Sequence, residues 1–281
     1  MDLNKAILYG QLVNAAYAVP PNDLANHAGQ VVNGGLGPNN MAFDVITSVY
    51  ANDLATDISP LRAQILVSMG LVLQSAAGDA VVAIRGTQGI FEWVHDAGFL
   101  FVDCPFLPGA GHTEDGFTAM YNSLAIGTVA GSPSLSKALA GLPWKKPVTS
   151  LTICGHSLGG ALATLLSLDV AANTPFRQPI SYTYASPLTG DITFANKYNQ
   201  LVPNTFRIAN RYDLIPKLPP PPLYEHVLGL FELSSIKLGI PPKFLVKLDI
   251  PCEHILTSYL NLLSLLAGGP VLPLDAACIP K

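Results

Sequence analysis

Val148-Thr149-Ser150-Leu151-Thr152-Ile153-Cys154-Gly155-His156-Ser157-Leu158-Gly159-Gly160-Ala161-Leu162-Ala163 is the stretch on which the reading of the fold turns. After the break at Pro147 it opens with β-branched and apolar residues, the composition of a buried strand. It passes through Gly155-His156-Ser157-Leu158-Gly159 and continues as an Ala/Leu-rich helix to about Ala172. Strand, G-x-S-x-G and helix is the layout of a nucleophile elbow. A serine in so sharp a turn holds its hydroxyl clear of the sheet. Glycines two before and two after let strand and helix pass without striking it. The backbone N–H of Leu158, at the start of the helix, then faces whatever the serine attacks. At roughly 7% usage each for Gly and Ser, the bare pattern arises by chance about 0.1 times in a chain this long. A strand before and a helix after make an accidental glycine turn a poor explanation.

The chain has 281 residues, room for one large α/β domain or two small ones. Apolar content is high and charge is low, so a sizeable core or an apolar binding surface is available. A net charge of −4 without any run of Lys or Arg argues against nucleic acid and anionic membranes as partners. No uninterrupted apolar run is long enough to span a bilayer. Met1-Asp2-Leu3-Asn4-Lys5 lacks the basic and apolar regions of a signal peptide, which fits an intracellular protein or a mature form given a new Met. Leu3, Ile7, Leu8, Leu12 and Ala16 instead recur at helical spacing, giving an amphipathic first helix that ends before Pro20-Pro21. Cys154 reads as a small core residue. Cys104, Cys252 and Cys278 lie in Pro-containing segments with room for one disulfide, for which Cys252–Cys278 is a pairing. No CxxC or His/Cys spacing suggests a metal site, and no cofactor is expected.

Along the chain, residues 22–44 read as an Asn/Gly-rich loop, and Asp44–Asn52 as either a strand or a short helix. Gln64–Met69, Leu71–Gln74 and Ala80–Ile84 read as strands, the last running into Arg85-Gly86-Thr87-Gln88. A small hydroxyl residue after a glycine at a strand end can aim its N–H and O–H at one point, so Thr87 is a candidate second donor opposite Leu158. Gly89–Ala97 crowds Ile90, Phe91, Trp93 and Val94 into a short segment edged by the acidic Glu92 and Asp96. That segment suits a buried helix or a short helix moving over an apolar cleft. A helix is expected from Gly116 to about Ile126, then a loop-rich stretch over Gly131–Pro147. Ile180–Ala185 and Asn204–Ala209 read as strands, Thr193–Asn199 and Ile255–Ala267 as helices, and Pro219–Pro222 as a stiff spacer rather than a domain linker. Strands alternating with helices on both sides of the elbow indicate an α/β fold with a mostly parallel sheet covered on both faces. No repeat divides the chain, so residues 1–281 are read as one domain.

A serine needs a base to take its proton, usually a histidine oriented by a carboxylate. On such a sheet the partners follow in the order Ser, Asp/Glu, His. Asp169 lies inside the elbow helix about three turns from Ser157 and points away. Asp191 and Asp213 both follow strands, and Asp213 follows the better one, its loop ended by Pro216. His156 is the elbow's own variable position and packs beside the nucleophile. His27, His95 and His112 precede Ser157. That leaves His226 and His254, of which His254 is preferred for its place in a loop just before a helix.

These residues resemble the class 3 lipases, the fungal-lipase-like branch of the α/β-hydrolases. Ile84-Arg85-Gly86-Thr87 is similar to the family's oxyanion strand end, and Ile90…Trp93…Asp96 to its lid helix, here about residues 88–97. Gly116-Phe117 resembles its helix start, with Glu114 where the family has histidine. Gly155-His156-Ser157-Leu158-Gly159-Gly160-Ala161 is similar to the family elbow. Tyr184-Ala185-Ser186-Pro187-Leu188-Thr189-Gly190-Asp191 resembles a family segment that carries arginine at the Leu188 position. Asn210-Arg211-Tyr212-Asp213-Leu214-Ile215-Pro216 matches its acid loop. Tyr224-Glu225-His226-Val227-Leu228-Gly229 resembles the strand after that acid, and Glu253-His254-Ile255 with Tyr259-Leu260 the histidine segment. The resemblance spans roughly residues 60–265. It implies an α/β-hydrolase fold with a short lid helix, a triad of Ser157, Asp213 and His254, an oxyanion hole at Thr87 and Leu158, and a structural His226. His156, Ile90, Phe91, Trp93 and Val94 would line the lid and substrate site.

The apolar lid residues and the apolar stretch 223–250 favour acylglycerols, met at an oil–water interface, over small water-soluble esters. Short-chain, feruloyl and phospholipid esterases share all these residues and are separated only by a substrate panel. A catalytically silent lipid-binding protein would keep fold and cleft yet resist fluorophosphonate labelling. Nothing resembles the side-chain-selective pocket of a serine peptidase.

Overall fold

Apolar strands that must bury both faces need a helical layer on each side, and the chain builds that arrangement. The computed structural model describes residues 1–53, 65–87, 98–128, 132–234 and 250–279. Its strands are β1 (Val31–Gly34), β2 (Met41–Asp53), β3 (Ile65–Ser75), β4 (Asp79–Ile84), β5 (Phe101–Asp103), β6 (His112–Glu114), β7 (Ser150–His156), β8 (Ile180–Tyr184), β9 (Thr205–Asn210) and β10 (Leu230–Leu233). Among the described residues, one sheet runs in the order β1-β2-β3-β4-β7-β8-β9-β10, with β5 and β6 paired apart from it. The β1–β4 neighbours are antiparallel, and β4, β7, β8, β9 and β10 run parallel.

The two-residue period of the central strands divides the core in two. Ala80, Val82 and Ile84 of β4 face one apolar cluster together with Leu151 and Ile153 of β7. Helices α2 (Asp115–Ser123), α3 (Leu135–Leu139), α4 (Leu158–Asn173) and α5 (Ile192–Leu201) contribute to that face. Val81, Ala83 and Cys154 face the other cluster, covered by α1 (Leu3–Ala18) and α7 (Leu256–Leu266). Helix α6 (Ile250–His254) precedes α7. Because α4 is enclosed on all sides, its residues from Leu158 to Ala171 are all buried, which is why its sequence shows no polar stripe.

Several elements depart from the sequence reading. Residues 22–44 are not all loop, since Val31–Gly34 form the sheet edge and β2 begins at Met41. The undecided segment Asp44–Asn52 lies in β2, which turns along the sheet through irregularities at Val45/Thr47 and Val49/Tyr50. Gln74 and Met69 belong to one strand, β3, that runs through Gly70 paired with Val49 and Ile84. Helix α3 interrupts the loop expected over 131–147. The strand expected within 224–229 begins only at Leu230. The prolines at 219–222 do not form an extended spacer, for Pro221, Pro222 and Leu223 lie in a turn. Helix α1 is capped by the Asp2 carboxylate, which accepts from the Asn4 and Lys5 amides. It is not simply amphipathic: Ala6–Gly10 are buried consecutively, between sheet and α7.

Candidate active site

At the C-terminal end of β7 the chain reverses into α4 through Ser157, whose φ of 60° and ψ of −129° lie where non-glycine residues rarely go. That conformation costs on the order of 1–3 kcal/mol and persists only because its surroundings enforce it. The Ser157 amide donates to the Tyr184 carbonyl at 2.9 Å, tying the turn to the neighbouring strand. A Cβ on Gly155 would lie 2.0 Å from the Gly159 carbonyl oxygen, so the glycine pair is a steric requirement of the crossing. Leu158 is the first residue of α4, and its N–H therefore has no acceptor within the helix.

Three elements converge on the serine. His254 ends α6, and its Nε2 lies 2.8 Å from Ser157 Oγ. Its Nδ1 lies 2.8 Å from Asp213 Oδ2, in the loop after β9. A carboxylate only accepts, so Nδ1 carries the proton and Nε2 offers its lone pair to the serine hydroxyl. Asp213 has 0% exposure and takes two further donors, the Tyr259 hydroxyl at 2.7 Å and the Ile215 amide at 2.9 Å. His254 sits at the end of a helix rather than in the loop expected from sequence. Asn210 explains the placement: its Nδ2 donates to the Glu253 carbonyl at 3.0 Å and also to the Glu253 carboxylate, holding α6 against the end of β9.

Thr87 follows β4, half-buried, and shares with Tyr17, His156, His254 and Leu256 the lining of a cleft of about 450 Å³. His156 is buried with its ring centroid 4.9 Å from that of His254. Burial, and the neighbouring His254, hold its pKa well below the ordinary histidine value. Ile90, Phe91, Trp93 and Val94, with the whole 88–97 segment, lie outside the described residues.

The other candidates go elsewhere. Asp169 accepts from the Tyr121 hydroxyl at 2.5 Å and from Asn173 at 2.7 Å, away from the elbow. Asp191 caps α5 through the Phe194 amide and meets His112 at 2.8 Å. His226 Nε2 donates to the Pro216 carbonyl at 2.6 Å, and burial beside Arg207 lowers its pKa to about 4. Among the described residues no group of three His, Cys, Asp or Glu side chains has metal-binding geometry. Sequence reading placed Tyr259 in the histidine segment but gave it no role, because its place in a Leu/Tyr-periodic helix looks like packing alone. A buried tyrosine hydroxyl needs a partner, and that was the available signal. Tyr17 carried no signal in the sequence at all.

The model of the family described as lipase (class 3) matches residues 81–222, half of the chain. A phospholipase A1-II 3 from Oryza sativa subsp. indica is 31% identical over 180 residues, covering 56% of this chain and 43% of the relative. The secreted mono- and diacylglycerol lipase 1 of Fusarium solani is 30% identical over 148 residues, covering 52% of this chain and 41% of the relative. The chain thus spans less than half the length of these relatives. Among solved structures, a fungal lipase crystal structure superposes with a TM-score of 0.61 at 23% identity, over 83% of this chain and 80% of the other. The Lip2 lipase from Yarrowia lipolytica gives a TM-score of 0.55 at 22% identity, over 80% and 76% of the two chains. These superpositions speak to the fold, which is that of the α/β-hydrolases. With the family model covering the segment from β4 through the elbow and the acid loop, the chain belongs to the class 3 lipases.

Proposed function

We propose that the protein hydrolyses carboxylic esters of acylglycerols, with Ser157 as nucleophile, His254 as general base and Asp213 as the group that orients and stabilises the imidazole. The observation that carries this is the unbroken pair of 2.8 Å contacts from Ser157 Oγ to His254 Nε2 and from His254 Nδ1 to Asp213 Oδ2. His254 takes the hydroxyl proton as Ser157 Oγ attacks the ester carbonyl. The Leu158 N–H and the Thr87 donors stabilise the oxyanion. Collapse expels the alcohol, which receives the proton from His254, and leaves an acyl-enzyme. Water, deprotonated by the same imidazole, then releases the fatty acid.

Two features support the ester of a neutral lipid over that of a phospholipid. The cleft wall beside Ile255 and Leu256 is mainly apolar, and the acidic side chain in its lining, Asp275, disfavours an anionic headgroup. Exposed Leu214, next to Asp213, and exposed Leu100 and Leu223 support contact with an oil–water interface. The Leu100 carbonyl accepts from Tyr224, the residue after Leu223. The Cys252–Cys278 disulfide supports residence outside the reducing cytosol, in keeping with the word "secreted" in the Fusarium relative's name. No described helix is long and apolar enough to cross a membrane.

Ser157→Ala is expected to abolish fluorophosphonate labelling and to lower kcat on the order of 10⁶-fold. Removing the Thr87 donors is expected to lower it on the order of 10²- to 10³-fold. A Ser157→Ala protein that keeps most of its esterase activity ends the reading. A wild-type enzyme that cleaves only short p-nitrophenyl esters, leaving emulsified diacylglycerol untouched, leaves an esterase in its place. Preference for phosphatidylcholine over diacylglycerol would instead favour the phospholipase reading.

A further inference from the structure

We infer that Tyr17 of α1 and His156 of the elbow are positioning residues for the proposed reaction, joined in one directed chain of hydrogen bonds. The chain runs from the main chain beside Thr87 to the main chain of His254. The inference rests on Ser157, His254 and Asp213 being the reacting triad.

The direction of the chain follows from its ends. The Gly86 amide, which can only donate, reaches Tyr17 Oη at 2.8 Å. Tyr17 Oη lies 2.8 Å from His156 Nδ1, and His156 Nε2 lies 2.8 Å from the His254 carbonyl oxygen, which can only accept. His156 Nε2 must therefore carry a hydrogen. In a neutral imidazole Nδ1 then offers a lone pair, and the phenolic proton of Tyr17 fills it. The opposite tautomer would press the Nε2 lone pair against a carbonyl oxygen at 2.8 Å. A doubly protonated ring is disfavoured by burial and by His254 beside it. Burial likewise keeps Tyr17 in its protonated form.

Each link constrains a reacting group. His254 is the last residue of α6, and the chain leaves the helix at Ile255 in an extended conformation, so its carbonyl has a dedicated partner in His156. Gly86 immediately precedes Thr87, and anchoring its peptide sets where the Thr87 donors lie. The approach is close: a Cβ on Gly86 would sit 2.7 Å from Tyr17 Oη and 2.9 Å from Ser157 Cβ. The chain also keeps His156 uncharged. A cation there, 4.9 Å from the His254 ring, would oppose the imidazolium that forms as Ser157 gives up its proton. Tyr17 comes from a helix outside residues 81–222, so the segment matched by the family model cannot supply this partner.

Four variants of the full chain test this with p-nitrophenyl butyrate: Tyr17→Phe, His156→Leu, His156→Gln and Ser157→Ala. Tyr17→Phe and His156→Leu are each expected to lose about 10- to 100-fold in kcat, with KM changed by less than about twofold. His156→Gln, whose amide still reaches the His254 carbonyl, is expected to lose at least about fivefold less than His156→Leu. Histidine ¹⁵N shifts of the wild-type protein, which require no variant to fold, are expected to report a neutral Nε2–H ring at position 156. A Tyr17→Phe enzyme within about twofold of wild-type kcat, a loss confined to KM, equal damage from Gln and Leu, or an Nδ1–H ring in the wild type each overturns the inference. If Ser157→Ala stays active, the triad reading falls and takes the inference with it. If Ser157→Ala is dead while Tyr17→Phe is unimpaired, the inference alone fails.

Discussion

Tyr259 shows how one hydroxyl serves two elements. It donates to Asp213 Oδ2 at 2.7 Å and accepts from the Asn210 amide at 2.9 Å, so the end of β9 and the acid loop share one anchor on α7. Burial and the Asp213 carboxylate raise its pKa well above the ordinary tyrosine value, so it remains a donor throughout any working range. Tyr259→Phe leaves a buried amide without its acceptor and a buried carboxylate with one donor fewer. It is expected to destabilise the fold by about 1–3 kcal/mol and to lower kcat by roughly tenfold. Chemical denaturation and steady-state kinetics on the same preparation check both. Unchanged kcat with lowered stability would confine Tyr259 to packing. The Ser–Asp–His order was available as an expectation because the flanking glycines mark Ser157, and few carboxylates and histidines follow it at the ends of later elements. Tyr259 was not, because an aromatic at helical spacing has the same pattern whether its hydroxyl is used or idle.

At the scale of elements, Glu114 caps α2. Its carboxylate accepts from the Phe117 amide at 2.7 Å, which favours the charged form, but burial outweighs this and lifts its pKa to about 7. The folded protein thus binds this proton more tightly than the unfolded chain, whose glutamate titrates near 4.5. The associated stability is fully present below about pH 4.5 and is lost as pH rises through about 7. Glu114→Gln keeps a carbonyl for the Phe117 amide and removes the titration. It is expected to flatten the fall in stability between those pH values, a difference on the order of 3 kcal/mol. Urea midpoints across the range measure it, and parallel curves for the two proteins would refute the assignment. The elements missed from sequence share a cause. Val31–Gly34 has only four residues, ending in Asn33-Gly34, and Met41-Ala42-Phe43 is uniformly apolar, so neither shows period-two alternation; β1 is moreover an edge strand with solvent on one side.

At the scale of the whole molecule, the C-terminal tail closes on the site through the Cys252–Cys278 disulfide, which spans 26 residues and encloses α7. Cys252 is two residues before His254. Chain entropy alone assigns such a loop about 3.5 kcal/mol. Cys278→Ser is expected to lower Tm by several degrees and to reduce activity at temperatures where the wild type is still folded. Calorimetry with a temperature series of rates tests both, and an unchanged Tm would mean that packing of Ile255 and Leu274 around the pair suffices without the covalent link. Cys104 and Cys154, both buried, take no part in a disulfide.

The elbow and the parallel run of the central strands could be read from the chain because they are local. Asp213 and His254, 41 residues apart and the latter 97 from Ser157, were candidates that chain order narrowed and the family resemblance singled out. A strained serine needs its glycines within two residues, and each partner sits at the end of its own strand or helix. What lay beyond the chain's reach was the meeting of Tyr17 with His156 across 139 residues, of Asn210 with Glu253 across 43, and of Tyr259 with Asp213 across 46. Such bonds leave no periodicity and require no special backbone. They are selected only when folding excludes water from polar groups and each must find its partner in space.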